Sequence, residues 1–278
     1  MWFPLLFATL AVATPSPFPN CRCLYGQSCW PDQSAFASLA SQISQPLLKP
    51  LPPASPCYPA SAPSGNCTYV TNNFANGFWR SDQPGAEQGL NFETVRFANG
   101  TISACYLDTT LGFPCEQGAI PPVGVDARNV GDIQAAIAFA QKYNLRLVVK
   151  NTGHDLMGRS TARGAFLLWT HHLKDIVYNP SFVLDGAPEN QTYDGEDSHP
   201  LCLIVTHIAL AVTLGAGVQF SEVYEAVQKH GRVFVGGACP SVGPAGGWVM
   251  GGGHSLLSPR HGLGMYIHLY LFRIYPLL

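Results

Sequence analysis

The sequence predicts an α+β fold: two α/β units in tandem behind a disulfide-rich N-terminal extension. Three observations carry that expectation. Twice the chain runs through a helix, a short apolar strand and a glycine-rich loop, first over residues 130–160 and again over 221–255. Hydrophobic residues make up 47% of the 278 residues and charged ones only 12%, which implies large buried faces and excludes disorder over most of the length. Seven of the nine cysteines (Cys21, Cys23, Cys29, Cys57, Cys67, Cys105 and Cys115) precede the first glycine loop. Disulfides persist in oxidising compartments, so this crowding points to a stapled, secreted extension.

The elements follow in order. Residues 1–16 (MWFPLLFATLAVATPS) are a short apolar run ending in small residues, with Ala11-Val12-Ala13 as an A-x-A cleavage pattern. Residues 1–13 are therefore read as a signal peptide, too short to span a bilayer, and the chain as secreted. Residues 14–117 form the cysteine-containing extension, of which 15–65, rich in Pro, Ser and Ala, read as a loosely built cap with one helical stretch near Ser34 to Ile43. FWRSDQPGAEQ and SACYLDT read as extended pieces and turns. The ordered pattern begins at 118, and 118–278 is taken as one domain. Val123 and Val125 alternate as in a strand. Asn129 caps a helix with Asp132 three positions on, a variant of the capping box. Val130, Ile133, Ile137, Ala140 and Tyr143 recur at helical spacing. LRLVV (145–149) is a buried strand, and 162–176 reads as another strand and turn. In the second unit, 211–220 is a strand with a glycine bend, and Ser221 caps a helix to about His230. Gly231 stands at its C′ position, and RVFVGG (232–237) is the next strand.

Each strand delivers one nucleophile to a glycine loop: His154 in KNTGHDLMGRS (150–160) and Cys239 in GGACPSVGPAGGWVMGGGHS (236–255). Glycine permits positive φ and close approach of backbone N–H groups to a bulky ligand. The loops are not nucleotide fingerprints of the usual kinds. GAGVQF (215–220) has only the first two glycines of the Rossmann pattern, and GGGHS has no lysine for a P-loop. The net charge of −2, without a basic stripe, gives no reason to expect nucleic acid. No metal is expected. CRCLYGQSC has no second half-site, and His171 and His172, adjacent at a strand end, point to opposite faces. An odd cysteine total leaves at least one thiol unpaired or modified. Of the seven upstream cysteines one must be free or reach elsewhere, with Cys202 a possible partner. Asn66, Asn99 and Asn190 each begin a glycosylation sequon.

Taken with their flanks, from about Pro121 to Gly264, the two loops resemble those of the FAD-linked oxidoreductases of the vanillyl-alcohol oxidase (PCMH-type) superfamily. The likeness is strongest to its fungal berberine-bridge-enzyme-like, isoamyl-alcohol-oxidase-like branch. The resemblance implies two subdomains of a PCMH-type FAD-binding domain clasping the flavin. It implies FAD held covalently twice, through the histidine of the first loop (His154) and the cysteine of the CPxVG loop (Cys239). Asn151, Thr152, Gly153, Asp155, Gly158, Arg159 and Ser160 would line the pyrophosphate, with a surface ion pair the alternative for Arg159. Gly237 and Ser241 belong to the cysteine loop, where clustered N–H groups favour a thiolate. Val242, Gly246, Gly247, Gly253 and His254 would contact the isoalloxazine or ribityl chain, a core histidine being the alternative for His254. The implied reaction passes a hydride from an alcohol-type or secondary-metabolite small-molecule substrate to flavin, which O2 reoxidises to give H2O2. The resemblance names no catalytic base here, since in the family it lies mainly beyond this chain's span. It also implies that the chain ends before the substrate domain, so a catalytically inactive, truncated flavin-binding product is the alternative. Residues 197–210 and 265–278 depart from the family pattern. They read either as translated non-coding sequence or as ordinary buried strands. Reductant is expected to loosen the extension first while the glycine loops persist.

Overall fold

A computed structural model describes residues 21–182 and 209–264 of the chain. The signal-peptide segment, Cys202, the Asn190 sequon and the segments 197–208 and 265–278 lie outside the described residues. The extension carries helix α1 (Gln33–Ala40), α2 (Cys67–Asn73) and α3 (Gly77–Ser81), then the short strands β1 (Val95–Arg96) and β2 (Ile102–Ser103). The first unit follows with β3 (Val123–Asp126), α4 (Val130–Lys142), β4 (Leu147–Lys150) and β5 (Phe166–Trp169). The second holds β6 (Ile176–Phe182), β7 (Ala209–Leu214) and α5 (Phe220–Gln228), with a last turn of helix, α6 (Ser258–His261). The architecture is α+β, as the sequence predicts. One parallel sheet of order β3-β5-β4 and one antiparallel pair β6-β7 stay separate, rather than forming one doubly wound sheet.

The extension is built more firmly than a loose cap. Asp32 caps α1 by accepting from the Ala35 N–H at 2.8 Å. FWRS is helical and not extended, because Asn76 caps α3 by accepting from the N–H groups of Phe78 and Trp79. Leu39 and Cys23 share one core with Val125, Phe139, Phe166 and Leu168, and Trp30 and Phe36 pack against it. Three disulfides, Cys23–Cys29, Cys57–Cys67 and Cys105–Cys115, staple the segment. Cys21 and Cys239 are the free thiols among the described residues.

In the first unit Asn129 accepts from the Asp132 N–H at 3.0 Å, as its capping role requires. Asp132 does not return the bond to Asn129. Buried, it accepts from the Arg128 N–H and from the backbone and hydroxyl of Ser44, which locks α4 to the extension. These bonds outweigh the burial of its carboxylate and hold its pKa low. The inner face of α4 is Ala136, Phe139 and Ala140, while Val130 is exposed in the first turn. In the second unit the cap is Gln219 and not Ser221. Glu222 reaches back to accept from the Gln219 N–H at 2.7 Å, and this closure fixes the helix start two residues early. The helix ends at Gln228, short of His230, and Gly231 follows at φ +66°. RVFVGG forms no strand among the described residues. Gly236 and Gly237 press against the Phe220 ring, where a Cβ would come within 2.6 and 2.8 Å, and the Tyr224 hydroxyl donates to the Gly237 carbonyl. Side chains of α5 thus hold the end of this segment.

Candidate cofactor-binding site

β4 ends at Lys150, and the loop carrying His154 begins one residue later. The loop is shaped from outside. The Gly153 carbonyl accepts from the Gln88 N–H at 3.0 Å, and the Thr152 carbonyl accepts from the Gln88 side chain at 3.1 Å. Gly153 sits at φ +79° with the Ala86 carbonyl 3.0 Å from where a Cβ would be, so a side chain is disfavoured twice over. Asp155 accepts from the backbone and guanidinium of Arg159, which hold its pKa down at about 2. Arg159 is 75% exposed in that pair, the surface ion pair that stood as its alternative. Ser160 is buried and donates to Glu87 at 2.7 Å, while Gly158 packs on the Phe92 ring.

The cysteine loop crosses to the first loop at Ser241. His154 Nε2 lies 2.8 Å from the Ser241 hydroxyl, and Cys239 Sγ lies 3.6 Å from the same oxygen. Ser241 is 4% exposed, and its carbonyl accepts from the Gln219 side chain at 3.0 Å. Burial keeps His154 below the ordinary histidine range, so its imidazole is neutral near pH 7. Cys239 is exposed. A second crossing runs through Asn151, whose amide reaches the Val218 carbonyl at 3.4 Å and whose oxygen meets His171 Nδ1 at 3.1 Å. The Val242 carbonyl accepts from the Phe220 N–H at 2.9 Å. Gly246 at φ +89° and Gly247 face open space, with no atom within 4 Å of a built Cβ. Trp248 packs edge-on against Phe220 at 4.8 Å and donates to the carbonyl of His254. Gly253 is buried; His254 is exposed, which removes the core-histidine alternative.

His171 and His172 lie in the turn after β5, not in the strand, so strand alternation does not separate them: their rings meet edge-on at 5.3 Å. Their partners differ, His171 with Asp82 and His172 with Asp126, each at 2.8 Å. Among the described residues no group of three or more His, Cys, Asp or Glu is placed to hold a metal ion.

No protein-family model matches the chain. Individual relatives do. An uncharacterized FAD-linked oxidoreductase of Arthroderma benhamiae is 40% identical over 245 residues, covering 88% of this chain and 39% of its own length. The FAD-linked oxidoreductase ZEB1 of Gibberella zeae is 36% identical over 264 residues, covering 95% and 42%. The crystal structure of the VAO-type flavoprotein MtVAO615 from Myceliophthora thermophila C1 superposes with a TM-score of 0.71 at 32% identity, over 88% of this chain and 40% of that one. Over most of its length the chain is similar to fungal FAD-linked oxidoreductases and to VAO-type flavoproteins. It spans about two fifths of the length of the curated relatives it matches.

One part of the site has no counterpart in the sequence expectations: a buried ionic cluster beneath the first loop. The ammonium of Lys150 donates to the carbonyls of Gln83, Pro84 and Ala86, with the first at 2.7 Å. Arg80 pairs with Glu93, whose carboxylate also accepts from the Glu87 N–H at 2.8 Å. Burial pushes Glu93 up to about 7 and Lys150 down to about 8, against the opposing pull of their partners. Both ends of the His154 loop, Lys150 and Ser160, are therefore tied to the 83–87 segment of the extension. The signal available in sequence was a lysine closing an apolar strand.

Proposed function

We propose that this chain is the FAD-binding part of a secreted oxidoreductase that holds its flavin covalently through His154 and Cys239. The observation that carries the reading is the meeting of the two nucleophiles at one buried hydroxyl, Ser241. The residues present suit such a group. His154 is neutral, and its Nδ1 has no hydrogen-bond partner among the described residues, so that nitrogen is the one available for a bond. Cys239 carries a free, exposed thiol. Gly246 and Gly247, in the same loop, face open space that a flat ring system could take. Asn151, Thr152, Gly153, Gly158 and Ser160 shape the loop for the pyrophosphate, with Asp155 and Arg159 bracing its outer side. Val242, Gly253 and His254, in the cysteine loop with Gly237, would contact the ring system or its ribityl chain.

When bound, FAD supplies hydride acceptance from an alcohol-type or secondary-metabolite substrate and return of the electrons to O2 as H2O2. The chain's residues orient that group and hold it. The three disulfides are consistent with the secretory pathway. The sequon residues Asn66 and Asn99 are both exposed. Among the described residues no helix is long and apolar enough to cross a membrane.

Acid precipitation tests the reading. Flavin fluorescence should stay with the denatured chain, His154→Ala and Cys239→Ala should each leave one attachment, and the double variant should release all flavin. Complete release from the unaltered chain would overturn double attachment.

A further inference from the structure

We infer that Ser241 is a positioning residue that sets the proton arrangement of both nucleophiles at once. In this inference His154 Nε2–H donates to the Ser241 oxygen, and the Ser241 hydroxyl donates to Cys239 Sγ. It rests on the proposed covalent flavin site and goes beyond it. The geometry restricts the choices. The hydroxyl lies 2.8 Å from His154 Nε2 and 3.6 Å from Cys239 Sγ, and it has one proton to give. Run the other way, the thiol would donate to serine and serine to Nε2. The imidazole proton would then sit on Nδ1, leaving that nitrogen without a free lone pair, and the sulfur would be held as the protonated donor. Run as inferred, Nδ1 keeps its lone pair and the sulfur accepts a hydrogen bond, which favours its thiolate form.

The hydroxyl is held where this requires. Ser241 is 4% exposed, its carbonyl accepts from Gln219 Nε2, and the Gln219 oxygen is in reach of Lys174 at 3.4 Å. Gly77 closes the other side, where a built Cβ would lie 2.8 Å from the Ser241 oxygen. The neutral state of His154 fits the scheme, since a doubly protonated ring would have no bare nitrogen.

The test uses the full chain produced both with flavin and under riboflavin starvation. In the flavin-free chain, 15N spectra of labelled histidine should show the His154 proton on Nε2. Alkylation of Cys239 by iodoacetamide, read from its peptide, should slow about fivefold in Ser241→Ala, the worth of one hydrogen bond. Ser241→Thr, which keeps the hydroxyl, should restore it. In the flavin-loaded chain, Ser241→Ala should carry fewer double attachments than the parent, by peptide mass. A proton on Nδ1, or an unchanged alkylation rate in Ser241→Ala, would overturn the inference. If the parent chain instead retains no covalent flavin at all, the covalent-site reading fails, while the imidazole and thiol measurements still decide the role of Ser241.

Discussion

His171 is a residue through which acid should weaken the fold. It is buried, with Asn151 at one ring nitrogen and Asp82 at the other. Burial holds it down at about 4, with Lys174 and His172 adding to the shift and Asp82 opposing it. An unfolded histidine keeps its ordinary value of 6.5, so between 6.5 and about 4 the unfolded chain binds a proton that the folded chain refuses. Stability is therefore full above 6.5 and falls on acidification through that window, by about 2 kcal/mol from this group. Urea unfolding at pH 7 and pH 4.5 checks it: the His171→Gln chain should lose less between the two than the parent. An equal loss would show that other groups carry the acid response. At this scale the sequence exposed His154 and Cys239, because glycine loops advertise them. It hid the His171 pair, whose partner Asp82 lies 89 residues away.

The element most in need of support is the His154 loop. Its two ends are tied to residues 83–87 through Lys150 and Ser160, and its middle is held by Gln88. Replacing Lys150 by Met would leave three carbonyls and the Glu87 carboxylate without their cation. Removing one partner from a buried ionic group costs roughly 3–5 kcal/mol. The Lys150→Met chain should show that loss in its urea midpoint; a change under about 1 kcal/mol would mean that the cluster is idle. Local elements with a periodic signal, such as α4 and the strands around it, were legible in advance. The clamp was not, because residues 80–93 have no period to read and their partners are about 65 positions away. The cap of α5 differs from the sequence expectation for a related reason. Serine is the stronger cap by propensity, but Glu222 closes on Gln219 and leaves Ser221 inside the helix.

Across the whole molecule, the extension and the His154 loop are one mechanical unit, which changes what reductant should do. The disulfides close short loops, of 6 or 10 residues' separation, each worth about 2–3 kcal/mol. The same extension carries the clamp on the first loop, so reduction should loosen both together, not the extension alone. Arg159 offers a readout, since it is exposed and sits within the loop. Tryptic cleavage after Arg159 should speed up with reductant. Cleavage confined to residues 21–117, with Arg159 untouched, would show that the clamp does not depend on the staples.

The most direct measurement is peptide mapping of the denatured, flavin-loaded chain. Trypsin should release the loop peptides 151–159 and 233–260, cutting after Lys150, Arg159, Arg232 and Arg260. Double attachment predicts one species in which a single flavin joins the two peptides through His154 and Cys239. Both peptides at their unmodified masses, from a chain that had bound flavin before denaturation, would contradict it.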